Sequence, residues 1–259
     1  MIHEISTGYV KVETHNGITT IEFFHPQSNS LPATILADLE QEIHSAGTDD
    51  ATKVIVLRSG GDQAFCAGAS LDELVAIKTA KEAQDFFTNF ANVFNAMRKC
   101  PKLIIGRVQG RCVGGGVGIA ASVDYCIAWE NVEVKLSELS LGFGPFVISP
   151  VIERKIGTSA FSQLAIDSTL WRNAEWCKRK GLFPEVHPSI ESMDEAVNRL
   201  ANSLAQHNPD AMREMKKIFW KGTEHWDDLL KERAQINGNL VISEFTKNAI
   251  AKFKSKVKS

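Results

Sequence analysis

The segment best suited to chemistry is Gly114-Gly115-Gly116-Val117-Gly118, which follows an apolar run, Leu103 to Val108. Three consecutive glycines let a backbone approach a bound group closely and point N–H groups from the start of a helix. Such N–H groups, with the helix dipole behind them, bind negative charge. Close packing of strand on helix would use the same glycines, so the turn alone supports either reading. A second small-residue segment, Phe65-Cys66-Ala67-Gly68-Ala69-Ser70, lies between the run Val54 to Arg58 and Leu71-Asp72-Glu73-Leu74. It too can present a backbone N–H at a helix start. Two such turns, each at a strand end, could converge on one oxygen. A donor aimed at an oxyanion contributes about 2.7–4 kcal/mol in well-studied enzymes.

A competing pattern overlaps the first turn. Gly116-x-Gly118-x-x-Ala121 fits the relaxed dinucleotide fingerprint, and Glu138 lies 20 residues beyond Gly118. However, a helix from Gly115 would end by Asp124, short for a crossover. The expected acid should close the strand ending near Trp129, and Glu138 comes one strand later. The sequence has no G-x-S-x-G, H-E-x-x-H or C-x-x-C segment. Its five cysteines (Cys66, Cys100, Cys112, Cys126 and Cys177) are scattered, mostly in apolar runs, and are expected to be buried and reduced.

The elements that must hold these turns can be read from periodicity. Tyr9 to Thr14 and Ile18 to Phe24 alternate around Asn16-Gly17, a hairpin signal because both turn residues tolerate positive φ. Leu31, Ile35, Leu36, Leu39 and Ile43 share one helical face, with Pro32 in the first turn. Phe86, Phe87, Phe90, Val93, Phe94 and Met97 mark a second helix, and Gly114 opens a short one to Ser122. Val54 to Arg58, Leu103 to Val108, Tyr125 to Trp129 and Val132 to Leu136 read as strands. The order is that of an α/β protein. From Phe161 onward helices dominate: Ala174 to Lys180 stopping at Gly181, then Ser192 to Gln206, Met212 to Trp220, Trp226 to Val241, and a last helix through Phe245, Ile250 and Phe253. A soft boundary is expected near Ser189, dividing 1–189 from 190–259.

Composition narrows the function classes. Apolar residues are 44% and charged residues 23% of 259, and the net charge is −2, so no global field recruits nucleic acid or anionic membrane. The basic run Lys252, Lys254, Lys256 and Lys258 is expected to be a solvated terminus. No stretch approaches the roughly 20 apolar residues of a membrane helix. Met1 to Lys11 lacks the pattern of a signal peptide. With the cysteine usage, this gives an expectation of a cytoplasmic protein.

Ala67-Gly68-Ala69, the turn Gly110 to Gly118, Asp124, and Leu136-Ser137-Glu138-Leu139-Ser140-Leu141-Gly142 occur in the order and spacing of a known family. Together with Asn29-Ser30-Leu31 and Gly181-Leu182, they make the chain resemble the enoyl-CoA hydratase/isomerase (crotonase) superfamily over most of its length. The resemblance implies a spiral of ββα turns followed by a C-terminal helical trimerisation region, and a homotrimer or dimer of trimers. It implies an acyl-CoA substrate, with coenzyme A part of that substrate, no further cofactor and no metal. The N–H groups of Ala69 and Gly115 would form an oxyanion hole, and Glu138 would be the acid/base. The Ala67 carbonyl would lie near the adenine. Ser28, Ser30, Gly68, Ser70, Leu71, Gly114, Gly118, Phe143 and Phe146 would complete the substrate and CoA site. With Val147 and Ile148, the two phenylalanines would wall Glu138 and raise its pKa by desolvation, unless they are plain core.

Two departures accompany the resemblance. Typical hydratases carry a second glutamate where this chain has Gly118, and an acid where it has Ser70. Two enzyme readings follow. Gly-Gly-Gly-Val-Gly, Leu136-Ser137-Glu138, Ile148-Ser149-Pro150 and Ser243-Glu244 look like bacterial methylglutaconyl-CoA-type hydratases, the favoured reading. One glutamate followed by Gly142-Phe143-Gly144-Pro145-Phe146 is also similar to Δ3-Δ2-enoyl-CoA isomerases, in which one carboxylate carries the proton from C2 to C4. A catalytically silent member binding CoA esters or RNA is the non-enzyme reading. Its RNA form sits poorly with a first helix bearing Asp38, Glu40 and Glu42 but no Lys or Arg.

Overall fold

The computed structural model describes residues 8–257. Its first elements are the hairpin β1 (Tyr9–His15) and β2 (Ile18–Phe24), turned by Asn16 (φ 50°) and Gly17 (φ 82°). Positive φ at both central residues matches the right-handed twist of the paired strands. A two-residue strand β3 (Ser30–Leu31) leads into α1 (Ala33–Thr48), which buries Ile35, Leu36, Leu39 and Ile43. Pro32 stands at its N-cap rather than inside the first turn.

The spiral is built from a long strand, a short strand and a returning helix. Its first turn is β4 (Val54–Ser59), β5 (Ala64–Cys66) and β6 (Gly68–Ala69), then α2 (Leu71–Ala76) and α3 (Ala80–Lys99). The second is β7 (Leu103–Val108), β8 (Arg111–Val113) and α4 (Gly115–Ser122). The third begins with β9 (Tyr125–Trp129) and β10 (Glu133–Lys135), followed by a 3-10 turn at Leu139–Leu141. Then come α5 (Ser149–Ile166), β11 (Arg172–Asn173), α6 (Ala174–Lys180) and β12 (Glu185–His187). The main sheet runs β1-β2-β4-β7-β9-β12, parallel from β2 onward, and the second sheet runs β11-β10-β8-β5. From one spiral turn to the next both sheets move along by one parallel strand, which requires a crossover, and β11 then ends the second sheet antiparallel to β10. This is the expected α/β spiral of ββα turns.

The C-terminal helices are α7 (Ile190–Ala205), α8 (Pro209–Phe219), α9 (Trp226–Val241) and α10 (Glu244–Val257). The larger core lies between one sheet face and α1, α3, α4, α5 and α9. On the other face Val54, Val56, Ile105 and Ile127 meet Met193, Ala196, Val197, Ala201 and Ala205 of α7. Ser189 is therefore the N-cap of a helix that covers the sheet, closed by a reciprocal bond with Ser192. α9 lies along α3, and Gly238 permits the approach: a Cβ there would stand 2.8 Å from the Ala80 carbonyl.

The sequence reading lacked α5 and β12. Pro150 at its start and Gly157 at φ 75° interrupt the periodicity of α5. β12 is only three residues long, and its place beside β9 is a tertiary matter. Met1 to Thr7, which carry most of the question of a signal segment, lie outside the described residues, as does Lys258 of the basic tail. Among the described residues, no helix is long and apolar enough to cross a membrane. All five cysteines are free and buried, and burial pushes the Cys66 and Cys126 thiols up to about 12.

Candidate active site

Gly114 takes φ 52°, ψ −117°, a conformation costly for any residue with a Cβ, and starts α4. Its N–H donates to the Lys135 carbonyl (2.9 Å), while its carbonyl accepts from the Val117 and Gly118 N–H groups. Gly115 is the first residue of α4, so its N–H has no intrahelical acceptor. The glycines also serve packing. A Cβ on Gly115 would stand 2.4 Å from the Phe90 ring, and one on Gly116 would stand 2.3 Å from the Cys66 carbonyl. The two readings of the turn are thus both present: close approach frees the amide and also seats the helix.

The second turn is fixed by its neighbours. β3 pairs in parallel with β6, Ser30 opposite Gly68 and Leu31 opposite Ala69. The Ala67 N–H donates to the Ser28 carbonyl and the Ser70 N–H to the Leu31 carbonyl. Ser70, the next residue of this ladder, turns its N–H to β3, so the Ala69 N–H points away from that strand. Asn29, itself at φ 54°, pins this junction: its Oδ1 accepts the His25 N–H and its Nδ2 donates to the Gly60 and Ala64 carbonyls. Gly68 has φ 84°, and a Cβ on it would stand 3.1 Å from the Gly115 nitrogen. The two turns are therefore in contact.

Glu138 closes the site. It is 8% exposed and follows β10 by three residues, where the 3-10 turn begins. A Cβ on Gly114 would stand 2.6 Å from Glu138 Oε1, so the carboxyl abuts the glycine turn. Oε2 is buried with no hydrogen-bond partner. Burial pushes the carboxyl up to about 7, with a backbone hydrogen bond acting the other way.

These groups share a cavity of about 650 Å³. Ser28, Ser30, Ala67, Gly68, Ala69, Leu71, Gly114, Gly115, Glu138 and Phe143 line it. Three expected residues do not. Gly118 faces Phe94 and Ile148, which a Cβ would meet at 2.8 Å and 3.0 Å, and of these Ile148 lines the cavity. Ser70 is buried as the N-cap of α2, its Oγ accepting the Glu73 N–H. Phe146 turns back over Gly144, where its ring carbons would lie 2.6 Å from an added Cβ. In this structure these three lie behind the cavity wall rather than on it.

The sequence reading also missed contributors. Leu74, Phe87, Phe90 and Leu141 make much of the apolar wall, with Phe87 and Phe143 rings 5.8 Å apart. The phenylalanines were legible as a helical face, but nothing in periodicity separates core from cavity. At another part of the wall Lys135 Nζ sits 4.3 Å from the Trp171 ring centroid, and Arg111 stacks on the same ring at 4.9 Å. Burial, then the neighbouring Arg111, lowers the Lys135 pKa. Among the described residues, no group of His, Cys, Asp or Glu is placed to hold a metal ion.

Comparison with known proteins bears on this arrangement. The enoyl-CoA hydratase/isomerase family model matches residues 13–258. The chain belongs to that family. The short-chain-enoyl-CoA hydratase of Clostridium acetobutylicum is 26% identical, over 96% of this chain and 95% of its own. The 2,3-dehydroadipyl-CoA hydratase of Escherichia coli is 27% identical, over 76% and 75%. Among solved structures, the enoyl-CoA hydratase from Bacillus halodurans superimposes with a TM-score of 0.88 at 20% identity, covering 94% of this chain and 99% of that one. This enoyl-CoA hydratase/isomerase family enzyme therefore has the crotonase fold, and an acyl-CoA substrate is in keeping with its family. Two N–H groups and one carboxyl in a shared apolar cavity can hold an oxyanion and move a proton beside it.

Proposed function

We propose that the enzyme hydrates a 2-enoyl-CoA through an enolate held by the Ala69 and Gly115 N–H groups, with Glu138 as both base and acid. The observation carrying this reading is the Glu138 carboxyl, buried and unpartnered at Oε2, against the turn that presents Gly115. The ionised carboxylate takes a proton from water while the water oxygen bonds to C3. The C2–C3 π pair moves toward C1, and the thioester oxygen takes the charge between the two N–H donors. The carbonyl then re-forms and C2 takes the proton from Glu138. The sum is addition of one water, with the carboxylate regenerated. The CoA moiety arrives as part of the substrate, and Lys135, Trp171 and the Ala67 carbonyl suit its phosphates and adenine. A 3-methylglutaconyl-type acyl group is the substrate that the motif resemblance favours, and assembly as a trimer or dimer of trimers belongs to the same reading.

One observation favours a second reading. Gly118 faces Phe94 and Ile148, so no second carboxylate stands beside Glu138 from α4. A single carboxylate suffices to carry a proton from C2 to C4 in Δ3-Δ2-enoyl-CoA isomerisation. Parallel assays of one set of CoA thioesters separate the two. Loss of the conjugated absorbance of 2-enoyl-CoA supports hydration, and conversion of 3-enoyl to 2-enoyl thioesters without hydration would replace it by isomerisation.

A further inference from the structure

Asn237 adds a buried amide to a cavity walled mainly by apolar side chains. It is 3% exposed, sits on α9 and lines the same cavity. Its neighbours along the buried stripe of α9 are Leu230, Ala234 and Val241. Its Oδ1 is buried without a hydrogen-bond partner, and no bond joins its amide to α3 among the described residues. A buried amide oxygen left unpaired is costly. Apolar packing alone does not account for an amide here.

The position follows from the packing of α9 on α3. Gly238, the next residue, meets α3 at Ala80 and Gln84, whereas Phe90 abuts Gly115. Gln84 and Phe90 are separated by six helical residues, a rise of about 9 Å. Asn237 thus lines the cavity from the side walled by α3. That side of the cavity suits contact with atoms along an acyl chain. The unpaired Oδ1 calls for a donor such as a hydroxyl, the Nδ2 N–H can meet an acceptor oxygen, and rotation about χ2 lets either end face the cavity.

We propose that Asn237 anchors an oxygen on the far part of the acyl group, making the enzyme selective for oxygen-bearing acyl-CoA thioesters over plain hydrocarbon ones. This deepens the reading of the cavity as an acyl-CoA site. It does not depend on whether the reaction is hydration or isomerisation.

The test uses binding, which needs no turnover. Dissociation constants of saturated thioesters are measured for the full chain and for Asn237→Leu: hexanoyl-CoA as the hydrocarbon, 5-hydroxyhexanoyl-CoA as a neutral oxygen that can donate as well as accept, glutaryl-CoA as a carboxylate. The expected result is at least tenfold tighter binding of one oxygenated thioester than of hexanoyl-CoA. That preference should fall at least tenfold in Asn237→Leu, with hexanoyl-CoA bound as well or better. The arm that shows the preference identifies the oxygen as neutral or anionic. Equal affinity of the unaltered protein for all three overturns the proposal without needing the variant, and so does a preference that survives Asn237→Leu. Loss of hydration with the preference intact would remove only the proposed reaction.

Discussion

Glu138 carries the proposed chemistry because its surroundings make ionisation costly. A carboxyl held near 7 can accept a proton from water and return it to carbon at neutral pH. Glu138→Gln keeps the shape and removes the exchangeable proton. It is expected to lower kcat by at least about 10³-fold, with the dissociation constant of a saturated acyl-CoA changed less than threefold. Steady-state kinetics and a binding titration read the two effects separately. The ionised form is the base, so kcat/KM should fall as pH drops through about 7, and a profile flat from pH 5 to 8 would contradict this role. Stability runs in the opposite sense. The folded-state pKa is raised, so stability is greatest below the unfolded value of 4.5 and declines as pH rises through about 7. Glu138→Gln escapes that decline and should be stabilised at pH 8 by at most about 3 kcal/mol, with no gain at pH 4. Denaturant midpoints at the two pH values provide the check.

At the scale of elements, the glycines of α4 do two jobs at different positions. Gly114 and Gly115 shape the site, whereas Gly118, one turn on, is set against Phe94 and Ile148. Gly118→Glu would place a charged side chain in that contact, so it is expected to lower the melting temperature by several degrees without adding a second active acid. A folded variant with normal stability and a faster hydration rate would show that Gly118 faces the reacting carbons after all. Much of this was legible in the sequence. Asn16-Gly17, the three-glycine turn and the phenylalanine face of α3 report strong local physics, and their elements lie where that physics places them. Glu138 and the small-residue loop were found through ordered motifs. Asn237 was not legible, because an asparagine in a helical stripe becomes informative only when its packing partners and its unpaired oxygen are known. Phe146 and Gly118 illustrate the complementary limit: residues next to a site in sequence need not line its cavity.

Across the whole molecule, Asp124 ties the start of β7 to α8, far along the chain from both. Its Oδ2 accepts the Ile104 N–H at 2.7 Å and lies 2.9 Å from Lys216 Nζ, while its Oδ1 accepts the Trp220 indole N–H at 3.2 Å. Lys216 also donates to the Lys102 carbonyl at 2.7 Å. The side chains are 6% and 3% exposed. Removing one member of such a pair strands a buried charge, which costs about 3–5 kcal/mol, whereas replacing both by apolar groups is often neutral. Asp124→Ala and Lys216→Met should each lower stability by about that amount, measured from denaturant midpoints, and Asp124→Leu with Lys216→Met should recover most of it. Because neither residue lines the cavity, the folded fraction of each variant should keep its KM for acyl-CoA. A double variant no more stable than the singles would mean that the Ile104 and Trp220 bonds, rather than the ion pair, fasten α8 to the sheet. A raised KM in folded protein would mean that this clamp also sets the shape of the cavity.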